Sequence, residues 1–335
     1  MEHLIKEDFK GVISIEQNRK WIYKQASGEA NLSEGRPNRL ETKFSIAGGS
    51  QVFTAVGILK LVEKKQLALS DKIGDVLPYQ LGQIDRSITV RQLLTHTSGI
   101  GDYYEGTMSK SHALMLVQQP NLPVPNAYLR SCRDYLPLFI HKPMIFAPGS
   151  RFSYSYAGYV LLGLVIEKIS EMPFDVFMEK HIFEPAGMKD SGYYALDLLP
   201  GSCATGYCYD KRTRQYFANI FSVEAKGSGA GGAFVTTADL EKFWLCLKEG
   251  HLLGKPLVRE MLSPQVEGGF YGYGVWLQEQ SDDEGHLPFI QGSQPGISFI
   301  SSFDRARGRS ITLISNFASD VLTLHGQLYS QLLQG

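Results

Sequence analysis

The chain has no excess of charge of either sign. Its 33 Lys and Arg face 34 Asp and Glu, a formal net charge of −1. No long-range field would gather polyanions or hold the chain to an acidic membrane, so no nucleic-acid partner is expected. Long apolar runs are missing as well: none reaches the roughly 18 residues that a membrane span needs. The opening MEHLIKEDFKGVISIEQ shows no basic stretch followed by an apolar core and a small-residue cleavage site. No signal peptide is therefore expected, and the location is read as cytoplasmic. Cysteine is scarce and scattered, at Cys132, Cys203, Cys208 and Cys246. Cys203 and Cys208 lie five apart, without the second pair or flanking histidines that would complete a zinc site. They are read as reduced thiols, with a Cys203–Cys208 disulfide as the alternative; no metal or cofactor is expected.

What is present reads as an ordinary globular chain, 43% hydrophobic and 20% charged. At 335 residues it exceeds what one simple core organises, which favours two subdomains. GVISIEQ and WIYKQAS alternate around NRK as a hairpin. Residues 51–66 carry apolar residues at helical spacing and predict an amphipathic helix. ITVRQLLTHTSGIGDYY opens on a capping box, Thr89 with Gln92, and stops at Gly99. Residues 102–150 are rich in proline and aromatics and predict helical turns and loops. AGYVLLGLVIEKISEM, 157–172, is apolar on most faces and predicts a buried helix, which Pro173 ends while starting the next. GSGAGGAFVTTADLEKFWLCLKEG combines a glycine-rich turn with a capped helix closing at Gly250. GISFISSF and SITLISN read as strands around DRARGR, followed by a helix over 319–333. Strands lie at both ends and helices in the middle. The expected division is therefore an α/β domain from 1–68 and 228–335, with a mainly helical domain, 69–227, inserted.

Several blocks, in order, carry a resemblance. FKGVISIEQNRKWIYKQASGEAN, FSIAGGSQVFTAVGILKLVEKKQLALSDKI, ITVRQLLTHTSGI, FAPGSRFSYSYAGYVLLGLVIEKIS, GAGGAFVTTADLEKF and QGSQPGISFISSFD together span nearly the whole chain. The sequence resembles the serine β-lactamase and penicillin-binding-protein superfamily, in its class C, D-alanyl-D-alanine carboxypeptidase and esterase-like branch. The resemblance implies an α/β fold with an antiparallel sheet flanked by helices and an inserted all-helical domain. It also implies an acyl-serine mechanism. A serine at a helix N-terminus lies one turn before a lysine in S-x-x-K, a Y-x-N or S-x-N motif shuttles the proton, and a K-T-G or H-x-G strand holds the substrate.

On the family pattern FxIASxxKxFTA, Phe44, Ile46, Ala47, Phe53, Thr54 and Ala55 align without a gap. The serine position is then Gly48 and the lysine position Gln51. In the second motif Tyr154 and Ser155 match, while Tyr156 stands where asparagine is expected. In the third, Gly292, Pro295 and Gly296 place the histidine position at Ile290. The resemblance thus implies a catalytic remnant of Tyr154, Gly48 and Gln51, with Tyr156, Ile290, Gln291, Gly292 and Ser298 facing ligand and an oxyanion-hole N–H near Ser298.

Glycine removes the nucleophile, and a neutral amide has no proton to titrate near neutral pH. Losing nucleophile and base costs a serine hydrolase on the order of 10⁶ in turnover. Ser50 lies roughly 200° around the helix from Gly48 and points away. The expectation is a chain that binds a small molecule or peptide in the inherited cleft, as a monomer or weak oligomer. The alternative is a working D-peptidase, esterase or amidase that uses Tyr154 or a non-standard site. Blander readings apply to individual residues: Tyr154 as one more packed aromatic, Gln51 as a capping residue, His96 as a loop histidine bonded to its own turn. The glycines of 227–232 lack a P-loop lysine and read as a structural turn.

Overall fold

Alternating side chains build one six-stranded sheet in the computed structural model, which describes residues 4–5, 9–104, 124–280 and 285–334. The strands are β1 (Gly11–Gln17), β2 (Lys20–Ser27), β3 (Trp276–Glu279), β4 (His286–Gln294), β5 (Ile297–Asp304) and β6 (Arg309–Ser315). Their order is β2-β1-β6-β5-β4-β3, with every neighbouring pair antiparallel. The N-terminal hairpin thus joins the sheet against the last strand, Val12 opposite Ile314 and Ile15 opposite Ile311.

Period-two alternation sends each strand's side chains to two different cores. Ile13, Ile15, Ile300, Ile311 and Leu313 face a smaller cluster closed by α4 (Val321–Gln334) through Val321, Leu324 and Leu328. Val12, Phe299, Phe303 and Ile314 face the large cluster. Three helices supply its other side: α1 (Gln51–Glu63), α2 (Tyr156–Ser170) and α3 (Thr237–Glu249). Some polar residues that meet this core pair with one another. The Trp244 Nε1–H of α3 donates to Ser301 Oγ at 2.9 Å, and Ser301 shares a 2.7 Å hydrogen bond with Thr312 on β6.

Local signals set the helix ends. Thr89 and Gln92 form the expected reciprocal capping box, although the helix they open runs only over Val90–Leu94. Thr236 caps α3, which closes at Gly250 with φ 83°. α2 ends at Ser170 with Glu171 left-handed, and Pro173 then caps the short helix Phe174–Met178. One expectation is corrected. Helix α1 is not amphipathic, since Gln51 through Leu59 are all buried: α2 and the glycine-rich turn pack on its first turns. All four cysteines are free, in keeping with the reading as reduced thiols. The loops expected over 102–150 fall in part on 105–123, outside the described residues. Over 124–150 the chain makes 3₁₀ turns at Asn126–Tyr128 and Cys132–Leu138. Among the described residues no helix is long and apolar enough to cross a membrane.

One buried histidine in the α4 layer gives a pH signature. His325 shares a 2.7 Å hydrogen bond with Ser302 on β5, and burial pulls its pKa down to about 4. The folded state therefore binds fewer protons than the unfolded state, whose histidine titrates near 6.5, and stability is lost as pH falls from about 6.5 toward 4. Burial pushes Asp102 up to about 6 and, with Glu16 alongside, Glu241 up to about 9; both act in the opposite direction over this window. The measurable quantity is therefore a difference. Between pH 7 and pH 5, His325→Gln is expected to recover about 2 kcal/mol of unfolding free energy relative to the parent, read from urea titrations. Parallel pH profiles of parent and variant would contradict this.

Candidate functional site

The turn that enters α1 is held from both sides. Phe44–Ser45 pairs with Phe234–Val235, and the Ile46 N–H donates to Ala233 O at 3.0 Å. Ala47 then adopts φ 48°, the left-handed region that a non-glycine residue enters at a cost of about 1–2 kcal/mol. A 3₁₀ turn, Ala47–Ser50, follows, and the α-helix itself begins at Gln51. Gly48 thus sits in a strained, tightly fixed turn of the kind that presents a reactive group, without having one.

Neighbouring serines do not replace it. Ser50 is fully buried, its hydroxyl donating to Ala47 O at 2.7 Å and accepting from the Ala233 N–H at 3.0 Å. The polar side chains of α1 are turned onto the glycine-rich segment instead. Thr54 Oγ1 donates to Gly229 O at 2.8 Å and Gln51 Nε2 to Ala230 O at 3.2 Å. Gln51 Oε1 is buried without a hydrogen-bond partner among the described residues. Gly229 has to be glycine: a Cβ there would lie 2.3 Å from Tyr159 O on α2. The segment is a packing turn.

Two tyrosines close over Gly48. A Cβ built on Gly48 would lie 2.9 Å from the Tyr154 hydroxyl, 3.3 Å from Tyr156 Cε1 and 3.4 Å from the Tyr156 hydroxyl. Tyr154 stacks on Trp276 at 5.9 Å between centroids and 11° between planes, and its other neighbours are His96 at 4.3 Å and Tyr156 at 5.4 Å. Burial, then the neighbouring Tyr156, holds the Tyr154 phenol well above its ordinary pKa, so it is a neutral donor at pH 7. Tyr156 opens α2. Its N–H donates to Asp102 Oδ2 at 2.6 Å, and its ring lies 4.9 Å from Tyr104. Asp102 also accepts from the Tyr103 N–H at 2.7 Å, so one carboxyl ties the 102–104 loop to the start of α2.

The remaining expected residues do not all reach the cleft. Gly292 does: a Cβ there would stand 2.1 Å from Ile46 O and 2.8 Å from Gly49 N, so β4 runs directly against the turn that carries Gly48. Gln291 is half-buried next to it, its carbonyl 3.4 Å from where a Cβ of Gly49 would be. Ile290 is 2% exposed and belongs to the large core, where strand alternation places it, rather than facing ligand. Ser298 sits on β5, opposite Ser293, and its hydroxyl donates to Ser319 O at 2.6 Å. Its side chain is held at the loop before α4. His96 is corrected too. It is 1% exposed, its Nδ1 accepting from the Ser155 N–H at 3.1 Å and its Nε2 bonding Tyr271 OH at 3.0 Å. Burial pulls its pKa to about 3, so it is a neutral brace behind Tyr154.

Sequence reasoning missed Asp102, Tyr104, Trp276 and His96 as members of this neighbourhood. The structure places His96 in a left-handed turn, φ 55°, inside LLTHTSG. Among the described residues no group of three or more His, Cys, Asp or Glu is placed to hold a metal.

The family model Beta-lactamase matches residues 2–326. The chain belongs to the Beta-lactamase family. Its similarity to penicillin-binding members is broad. The crystal structure of a penicillin binding protein from Bacillus halodurans matches at 34% identity and TM-score 0.87, covering 99% of this chain and 97% of that one. Penicillin-binding protein 4* of Bacillus subtilis (strain 168) is 30% identical over 311 residues, 88% of this chain; the chain spans 65% of that protein's length. A D-amino acid amidase from Ochrobactrum anthropi SV3, at 20% identity and TM-score 0.80, shares the fold. The 3₁₀ turn, the strand approach at Gly292 and the Tyr154 hydroxyl all lie around Gly48.

Proposed function

We propose that this chain is a ligand-binding member of the Beta-lactamase family that does not work through an acyl-serine. One observation carries the reading. The position where the nucleophile would stand is Gly48, and the space its side chain would need is bordered at 2.9 Å by the Tyr154 hydroxyl. A serine Cβ is not accommodated without movement there, so the surroundings have settled around the glycine. The lysine position supports the same reading, because the Gln51 amide is spent on Ala230 O and titrates nowhere near neutral pH. What persists around Gly48 is a neutral phenol and a cluster of aromatic rings, groups suited to holding a ligand.

The hydrolytic alternative assigns the chemistry to Tyr154. Its buried phenol would have to ionise against its surroundings, which disfavours it as nucleophile or base. The test is p-nitrophenyl acetate hydrolysis by the parent and by Tyr154→Phe. Equal rates, indistinguishable from a surface-lysine background, are expected. A parent rate that collapses in Tyr154→Phe, with the variant folded, would overturn the reading.

A further inference from the structure

A narrow recess lies beyond Tyr104, whose ring packs on Tyr156 beside Gly48. Its walls include Leu199, Val223, Phe234 and Ile297, and it contains the side chains of Glu224 and Gln294. The free volume is about 30 Å³, room for two or three water-sized groups rather than a ring. Glu224 accepts from Tyr104 OH at 2.9 Å and from Gln294 Nε2 at 3.2 Å. Both donors are neutral. Lys226, which also lines the recess, gives its ammonium to Asp175. Among the described residues no cation stands within ion-pair distance of Glu224, and burial pushes its carboxyl above the ordinary range. A half-buried carboxylate fixed by two donors and lacking a countercharge is costly to keep, and such groups concentrate where a ligand completes them. The recess is joined to the inherited cleft through Tyr104, whose ring packs on Tyr156 while its hydroxyl holds Glu224.

We infer that this recess takes the protonated primary amine of a ligand, its ammonium on Glu224 and the one or two methylenes next to it against the apolar walls, with the rest of the stem outside the recess. The inference rests on the ligand-binding reading and names the chemistry of what is bound. A small alkylamine and a lysine side chain share that chemistry.

The experiment titrates three probes with one stem and three heads, n-butylamine, n-butanol and butyrate, into the ¹⁵N-labelled full chain at pH 7. Charge-assisted hydrogen bonds predict that butylamine binds about tenfold or more tightly than butanol, with butyrate weakest, and that amides around Glu224 and Gln294 shift. Glu224→Gln is expected to remove the amine's advantage, and Leu199→Trp, which fills the recess, to weaken both amine and alcohol. Butanol or butyrate binding as well as butylamine, or an unchanged ratio in Glu224→Gln, would overturn the inference. Should Glu224→Gln fail to fold, the three-probe comparison on the parent decides alone. Nα-acetyl-lysine amide binding more tightly than butylamine supports a lysine side chain as the source; the reverse order supports a free amine. The failure is separable from that of the binding reading: acylation of the parent would strike the latter and leave the probe ratios untouched.

Discussion

Gly48→Ser combined with Gln51→Lys is expected to convert the parent into a protein that takes one acetyl group from p-nitrophenyl acetate. The burst rate should be at least about a hundredfold above the parent, and far below the factor of about 10⁶ that a complete nucleophile and base contribute. The positions are three apart, so hydroxyl and amine fall on one face of the first helical turn. The backbone they need is in place, with Ala47 strained at φ 48° and Gly292 packed against Gly49 N. The obstacle is Tyr154, whose hydroxyl stands 2.9 Å from the required Cβ and whose ring is braced by His96 and Trp276. It must retreat by a few tenths of an ångström. That limits the rate, yet it leaves the phenol beside the introduced hydroxyl, where a proton-shuttling group is wanted. Release of the acetyl group is expected to be slow, so a burst without turnover still agrees with the account. A folded double variant that shows neither burst nor adduct would mean that Gly48 and Gln51 are not the nucleophile and lysine positions.

The second large effect concerns the junction beneath that turn. Gly292→Ala is expected to cost about 3 kcal/mol of stability, against about 1 kcal/mol for Gly48→Ala. The difference lies in what the added methyl meets. At Gly292 it meets backbone, Ile46 O at 2.1 Å and Gly49 N at 2.8 Å, and neither can turn aside without moving β4 away from the 3₁₀ turn. At Gly48 it meets the ends of two side chains. Added to the double variant, Gly292→Ala should also abolish its burst, because the strand and turn no longer meet. Urea titrations of the two single variants check the ranking; equal costs, or a larger one for Gly48→Ala, would contradict the packing described here.

How far the chain could be read without coordinates depended on the range of each interaction. The hairpin, the Thr89 capping box, the glycine end at Gly250 and the strands around Asp304–Arg309 are short-range patterns, and they appear where the sequence implies them. The apolar positions around Gly48 were legible too: Phe44, Ile46, Phe53 and Ala55 are core residues. Facing was harder. Ile290 and Ser298 both lie on correctly placed strands, but which side of a strand meets the cleft is decided by the partner layers. The buried character of α1 and of His96 was hidden for a similar reason. Tyr271, Ser155 and the glycine-rich turn reach them from more than 55 residues away in sequence. The recess around Glu224 is assembled from Tyr104, Glu224 and Gln294, three separate segments with no shared motif.

The central claim is that no group in this chain forms the acyl intermediate of its family. Its most direct test is the intact mass of the parent protein after prolonged incubation with a fluorescent penicillin. The account predicts the unmodified mass of the 335-residue chain and no fluorescence on the denatured band. One stoichiometric penicilloyl adduct, on any serine, would contradict it.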